Sequence, residues 1–123
     1  MSPLDQHLRR LLDFLATTAQ PPPEREIRII EIDPNNLDER GRCRAPRSAL
    51  HTAQDYEPRF SELIRVAPAW INMTCLGVAE GFLIVGIEVA RTRAAARTSV
   101  NYSGPSNSAV QNDWAADQVL VLE

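Results

Sequence analysis

Residues 69–93 read AWINMTCLGVAEGFLIVGIEVARTR, and the periodicity of this stretch decides the fold. Ile71, Met73 and Cys75 alternate with Asn72 and Thr74, the two-residue period of a strand with one apolar face. Gly77 and Gly81 bracket a short connection, which predicts a hairpin. The run from Phe82 to Arg93 then sets Leu83, Val85, Ile87 and Val89 on one face, while Phe82 and Ile84 add apolar cover on the other. A strand apolar on both faces belongs at the centre of a sheet.

Beyond the alanines at 94–96, Thr98, Val100 and Tyr102 alternate as a third run, and residues 103–108 are a Ser, Gly and Pro loop. The three runs predict an antiparallel meander. Val110 to Ala116 is expected as a helical turn and Val119 to Leu122 as a last strand.

Toward the N-terminus, Phe60, Leu63, Ile64 and Ala67 give a helical face between Pro58 and Pro68, although Phe60, Ile64 and Val66 also alternate as a strand would. Ser48 to Gln54 is expected as a short helix supported only by Leu50 and Ala53. Residues 37–47 read as a polar, Arg-rich loop. Glu26 to Asp33 is a strand by its content of Ile27, Ile29, Ile30 and Ile32. Its apolar parity flips between Ile29 and Ile30, as a bulge or cover on both faces would require.

The chain opens on a helix-start signal: Ser2 as N-cap, Pro3 at the first helical position and Asp5 in the first turn. Leu4, Leu8, Leu11 and Leu15 line one face of that helix, and Asp5, Arg9 and Asp13 stand at i,i+4 spacing on the other. Pro21, Pro22 and Pro23 lack backbone donors and force an extended connector. The expected fold is α+β, with the N-terminal amphipathic helix and short helices packed on a mostly antiparallel sheet of about four to five strands. One domain spans 1–123: helix 1–20, Pro-rich connector 21–25 and α+β body 26–123.

At 123 residues and 44% hydrophobic content, the chain suits one core. The apolar run Phe82 to Val85, unsurpassed in length in the chain, is far short of the roughly 20 residues of a membrane helix. Asp5, His7, Arg9, Arg10 and Asp13 interrupt every short apolar stretch where a secretory leader would begin. Cys43 and Cys75 show neither disulfide-framework nor zinc spacing, so reduced thiols and a soluble, cytoplasmic protein are expected. Asn72-Met-Thr74 and Asn101-Tyr-Ser103 match the glycosylation pattern but fall within expected strands.

The five glycines, at 41, 77, 81, 86 and 104, form no phosphate-cradling loop or nucleophile elbow. A triad can be assembled from Cys43, His51 and Asp55, a thiol activated by an imidazole that a carboxylate orients, but its residues carry no family motif. No cofactor or metal is called for, and the enzyme question leans to no.

Charge is more telling. All thirteen basic residues are arginine, in a chain of net charge −3. Arg40, Arg42, Arg44 and Arg47 form one cluster, and Arg91, Arg93 and Arg97 a second, in which Arg91 and Arg93 share parity with Val85, Ile87 and Val89. The leading expectation is a non-catalytic protein–protein interaction or assembly module. It would use the Arg loop and, toward a partner or a second copy, the Leu4, Leu8, Leu11, Leu15 seam. The first alternative is a nucleic-acid or polyanion binder using both Arg clusters, although neither cluster holds an aromatic for base stacking. The second is a small enzyme or ligand-binding domain with a pocket between sheet and helices.

Overall fold

The computed structural model describes residues 2–17, 24–33, 36–66, 71–89 and 119–123. Its elements run α1 (Pro3–Ala16), β1 (Ile27–Ile32), β2 (Cys43–Ala45), a 3-10 turn (Arg47–Ala49), α2 (Ala53–Val66), β3 (Ile71–Ala79), β4 (Phe82–Val89) and β5 (Leu120–Leu122). Helices and strands are both present, the α+β class expected from the sequence. Among the described residues the main sheet has three strands, fewer than expected, in the order β1-β4-β3, and β2 and β5 pair separately.

The pairing is also more mixed than a meander. β4 lies antiparallel to β3 but parallel to β1. The long connection through β2, α2 and β3 makes that parallel return feasible. The run at Thr98–Tyr102, the helical turn at Val110–Ala116 and the Pro21–Pro23 connector lie outside the described residues.

Three layers explain the sequence periods. On one face of the sheet, Leu4 and Leu8 of α1 and Tyr56, Phe60 and Leu63 of α2 pack on Ile29, Val85 and Ile87. On the other, Cys43 and Ala45 of β2 with Val119 and Leu120 cover Ile30, Ile32, Leu76 and Ile84. The parity flip in β1 is therefore cover on both faces, with Ile29 turned to the helices and Ile30 to the second sheet.

The start of α1 follows its signal: Ser2 Oγ accepts the Asp5 N–H at 3.1 Å, and Leu4 and Leu8 are buried. The region 48–67 departs from expectation. Ser48 to Gln54 is no separate helix: the 3-10 turn ends at Ala49, His51 pairs with Ile29, and Thr52 Oγ1 accepts the Asp55 N–H at 3.0 Å to cap α2. α2 then runs unbroken through Pro58, and Phe60 and Leu63 are buried while Val66 is exposed, so the strand alternative for this segment falls. The loop at 37–47 contains β2, too short for its two buried residues, Cys43 and Ala45, to show as a period.

Gly77 lies within β3 beside a register shift between Cys75 and Gly77, and the turn itself is Glu80-Gly81. Both turn residues have positive φ, 56° at Glu80 and 82° at Gly81, the geometry that favours Asn-Gly in two-residue hairpins. Glu80 carries that strain and gains one exposed ion pair, to Arg47 Nη2 at 3.2 Å. Such a pair contributes about 0–1 kcal/mol, and a non-Gly left-handed residue costs about 1 kcal/mol or more. Glu80→Asn is accordingly expected to stabilise the fold by about 0.5 kcal/mol, read as a rise in thermal midpoint; a fall would show that the ion pair outweighs the turn.

Candidate functional site

The structure separates the Cys43, His51, Asp55 triad. Cys43 is buried in β2 of the second sheet, facing the core it shares with the main sheet, whereas His51 and Asp55 line a cleft of about 380 Å³ between β1 and α2. Burial and the nearby Asp33 charge push the Cys43 thiol up, away from the thiolate a nucleophile needs. Cys75, also buried, is pushed up to about 11 by burial, which a backbone hydrogen bond at Gly77 only partly offsets. Among the described residues, no group of His, Cys, Asp and Glu is arranged to hold a metal ion.

The cleft is also lined by Glu31, Ala49, Tyr56 and Arg59. Glu31 shares the parity of Ile29, so its carboxylate leaves the sheet on the helix side. There its Oε1 accepts the Tyr56 O–H at 2.6 Å and the Arg59 Nε–H at 2.7 Å. Burial works to raise the Glu31 carboxyl, but the hydrogen bonds from Arg59 and Tyr56 and the charges of Arg59 and His51 hold it below its ordinary value. Burial, then the hydrogen bond to Glu31, pushes the Tyr56 phenol up, so it serves as a donor and not as a base. The His51 ring lies tilted on Tyr56, centroids 5.9 Å apart. Sequence reasoning missed Glu31, Tyr56 and Arg59. The available signal was the parity of Glu31 with Ile29, which puts its carboxylate on the helix-covered face of β1 within reach of donors from a covering element.

The lowered Glu31 carboxyl implies a pH dependence. Its stabilisation is fully present above the unfolded carboxyl value of about 4.3 and is lost as pH falls through the lower folded value. Asp38 acts in the same direction, held low first by the Arg42 backbone N–H and further by that of Arg40 and the Arg42 side chain. Thermal midpoints measured from neutral pH down to about 3 should fall on the acid side, and less steeply in Glu31→Gln. Equal slopes would mean that the Glu31 contacts contribute nothing to folding.

The first arginine cluster is gathered and largely paired. Arg42 Nε meets Asp38 at 3.1 Å, Arg44 meets Glu123 at 2.8 Å and Asp38 at 3.9 Å, and Arg47 meets Glu80 at 3.2 Å. The Arg40 backbone N–H donates to Asp38 Oδ1 at 2.9 Å. Arg91, Arg93 and Arg97 lie outside the described residues. Of the N-terminal seam, Leu4 and Leu8 are buried and Leu11 is packed against this chain's own core, and Leu15 is half-buried.

A larger groove of about 620 Å³ lies between α1, the start of β1 and the start of α2. Three arginines and three carboxylates of its lining balance in charge. No helix among the described residues is long and apolar enough to cross a membrane. No family model, curated protein or solved structure matches this chain.

Proposed function

We propose that this chain is a non-catalytic protein–protein interaction or assembly module of the cytoplasm, and that Arg40, Arg42, Arg44 and Arg47 form its partner-facing ridge. One observation carries the reading: Arg42, Arg44 and Arg47 pair with Asp38, Glu80 and Glu123 across β2, β5 and the 3-10 turn, with exposed Arg40 joined to Asp38 through its backbone N–H, as one mixed-charge surface. The exposed pairs, Arg44 with Glu123 and Arg47 with Glu80, contribute little to folding, so their partners can be exchanged for those of another protein at small cost. Two free, buried thiols are in keeping with a reducing compartment.

The test is light scattering after size exclusion, at low and high salt, with absorbance at two wavelengths, followed by capture of the bound partner. A mass above the 13.7 kDa of one chain, with a protein-like absorbance ratio, is the expected result. Replacing the four ridge arginines with glutamine should abolish capture and leave circular dichroism unchanged. Undiminished capture overturns the ridge, and a raised 260 nm ratio that collapses in high salt would transfer the arginines to nucleic acid.

A second reading, a ligand-binding domain with its pocket between sheet and helices, is favoured by the cleft that His51 and Asp55 share.

A further inference from the structure

The cleft exists because a ladder stops. Ile29 and His51 exchange both backbone hydrogen bonds, at 2.7 and 2.8 Å, so the segment ending at His51 begins to add an antiparallel strand to the outer edge of β1. Continued in that register, Ala49 would stand opposite Glu31. Ala49 is instead drawn into the 3-10 turn, where its N–H donates to Pro46 O at 2.9 Å.

Arg28 and its even-numbered neighbours in β1 bond toward β4, as the bond from Leu83 N–H to Glu26 O fixes. The N–H and C=O of Glu31 therefore face outward with Ile29's, beside the cleft, and no described backbone group takes them. A donor and acceptor left open among the described residues, on a strand edge, are a template for an added extended segment.

The chemistry of the cleft selects what that segment carries. Its lining holds two carboxylates, Glu31 and Asp55, against one guanidinium, Arg59, and the imidazole of His51. Arg59 is already given to Glu31, and more weakly to Glu62 at 3.7 Å. The Asp55 carboxylate is exposed and has no hydrogen bond or ion pair within the described structure. An anion entering here would meet two carboxylates, whereas a planar cation with paired donors would match the exposed carboxylate of Asp55.

We propose that this cleft docks an arginine residue of a partner protein's extended segment, with the segment's main chain on the open edge at Glu31 and its guanidinium on Asp55. The inference rests on the reading of the chain as an interaction module, and it places a contact on a different surface from the arginine ridge.

The experiment titrates the ¹⁵N-labelled full chain with acetyl-Ala-Val-Arg-Val-Ala-amide and with the same peptide carrying citrulline, which keeps the shape and removes the charge. Saturable shifts are expected at the amides of Glu31, Ala49, His51 and Asp55, with citrulline binding clearly weaker. Asp55→Asn, an exposed change whose own spectrum reports whether the fold is kept, should weaken the arginine peptide about three- to five-fold. Arg59→Gln should tighten it, because the Glu31 carboxylate is released to the ligand.

Absence of saturable shifts, equal affinity for citrulline, or an unchanged Asp55→Asn each overturns the site. Loss of capture in the ridge variant together with a silent cleft would leave the interaction reading standing and remove only this inference. A peptide that binds the cleft while ridge-variant capture is undiminished would keep this inference and remove the ridge.

Discussion

Phe60→Ala is expected to lower the urea midpoint by about 2 M, or to leave the chain unfolded in buffer. Phe60 is fully buried where the two helices meet the sheet. Its ring meets the edge of His7 at 5.1 Å and lies 6.5 Å from Tyr56. Truncating a buried Phe to Ala costs about 3–5 kcal/mol, because transfer energy is lost and the cavity does not fully collapse. A domain of this size has about 5–15 kcal/mol in total, and a urea slope of about 1–3 kcal/mol per M converts that loss into the stated shift.

The neighbourhood makes collapse difficult. Leu4 and Leu8 arrive from α1, Val85 and Ile87 from the central strand, so no single element can close the hole without dragging another. Phe14, 69% exposed near the end of α1, supplies the control. Phe14→Ala should move the midpoint by no more than about 0.5 kcal/mol equivalent. Similar midpoints for the two variants would mean that the helix layer is not packed as described.

The same contrast shows what the sequence could reveal. Leu4 and Leu8 were legible because a capped helix of known start fixes which spacings face inward, and β4 was legible because Ile84 and Val85 are both apolar on a strand that neighbours on both sides must cover. Ile29 and Ile30 carried the decisive hint of a second layer, but nothing local identified it. The covering strands Cys43–Ala45 and Leu120–Leu122 have three residues each and pair in parallel across most of the chain. Leu120–Leu122 falls within the strand expected at Val119 to Leu122, but three residues at Cys43–Ala45 have too little length to display a period, and a parallel partner so distant in sequence leaves no turn signal.

The site was half legible for similar reasons. His51 and Asp55 do share a cleft, though not as neighbours on one helix: His51 belongs to an edge bridge and Asp55 to the first turn of α2. Cys43 was grouped with them by sequence proximity alone, and the sheet stands between. Glu31, Tyr56 and Arg59 meet only because β1 and α2 pack face to face, a contact that no spacing within either element announces.

Gly86→Val is expected to destabilise the fold by about 3 kcal/mol, although strand propensity alone would favour Val over Gly by up to about 1 kcal/mol. Gly86 sits in the central strand opposite Ile30 on one side and Thr74 on the other. A Cβ placed there would meet Ile32 Cγ1 and Leu76 Cδ1 at 3.1 Å and Leu76 Cγ at 3.3 Å. The close approach has a cause in the neighbouring strand. The register shift between Cys75 and Gly77 leaves Leu76 unpaired, and its side chain fills the space over Gly86. Leu76 and Ile32 are both buried in that layer, so neither can swing into solvent to make room.

Gly86→Ala, with one carbon to accommodate, should cost about 1 kcal/mol, and the gap between Ala and Val measures how steeply the layer resists. The assignment to Leu76 is checked by a double-mutant cycle. Leu76→Ala alone should cost about 2–5 kcal/mol, but combined with Gly86→Val the total should fall short of the sum by at least about 1 kcal/mol, since the new methyls would occupy the vacated volume. Strict additivity would locate the obstruction at Ile32 instead, and a Gly86→Val as stable as the parent would mean that Leu76 does not lie across the central strand at all.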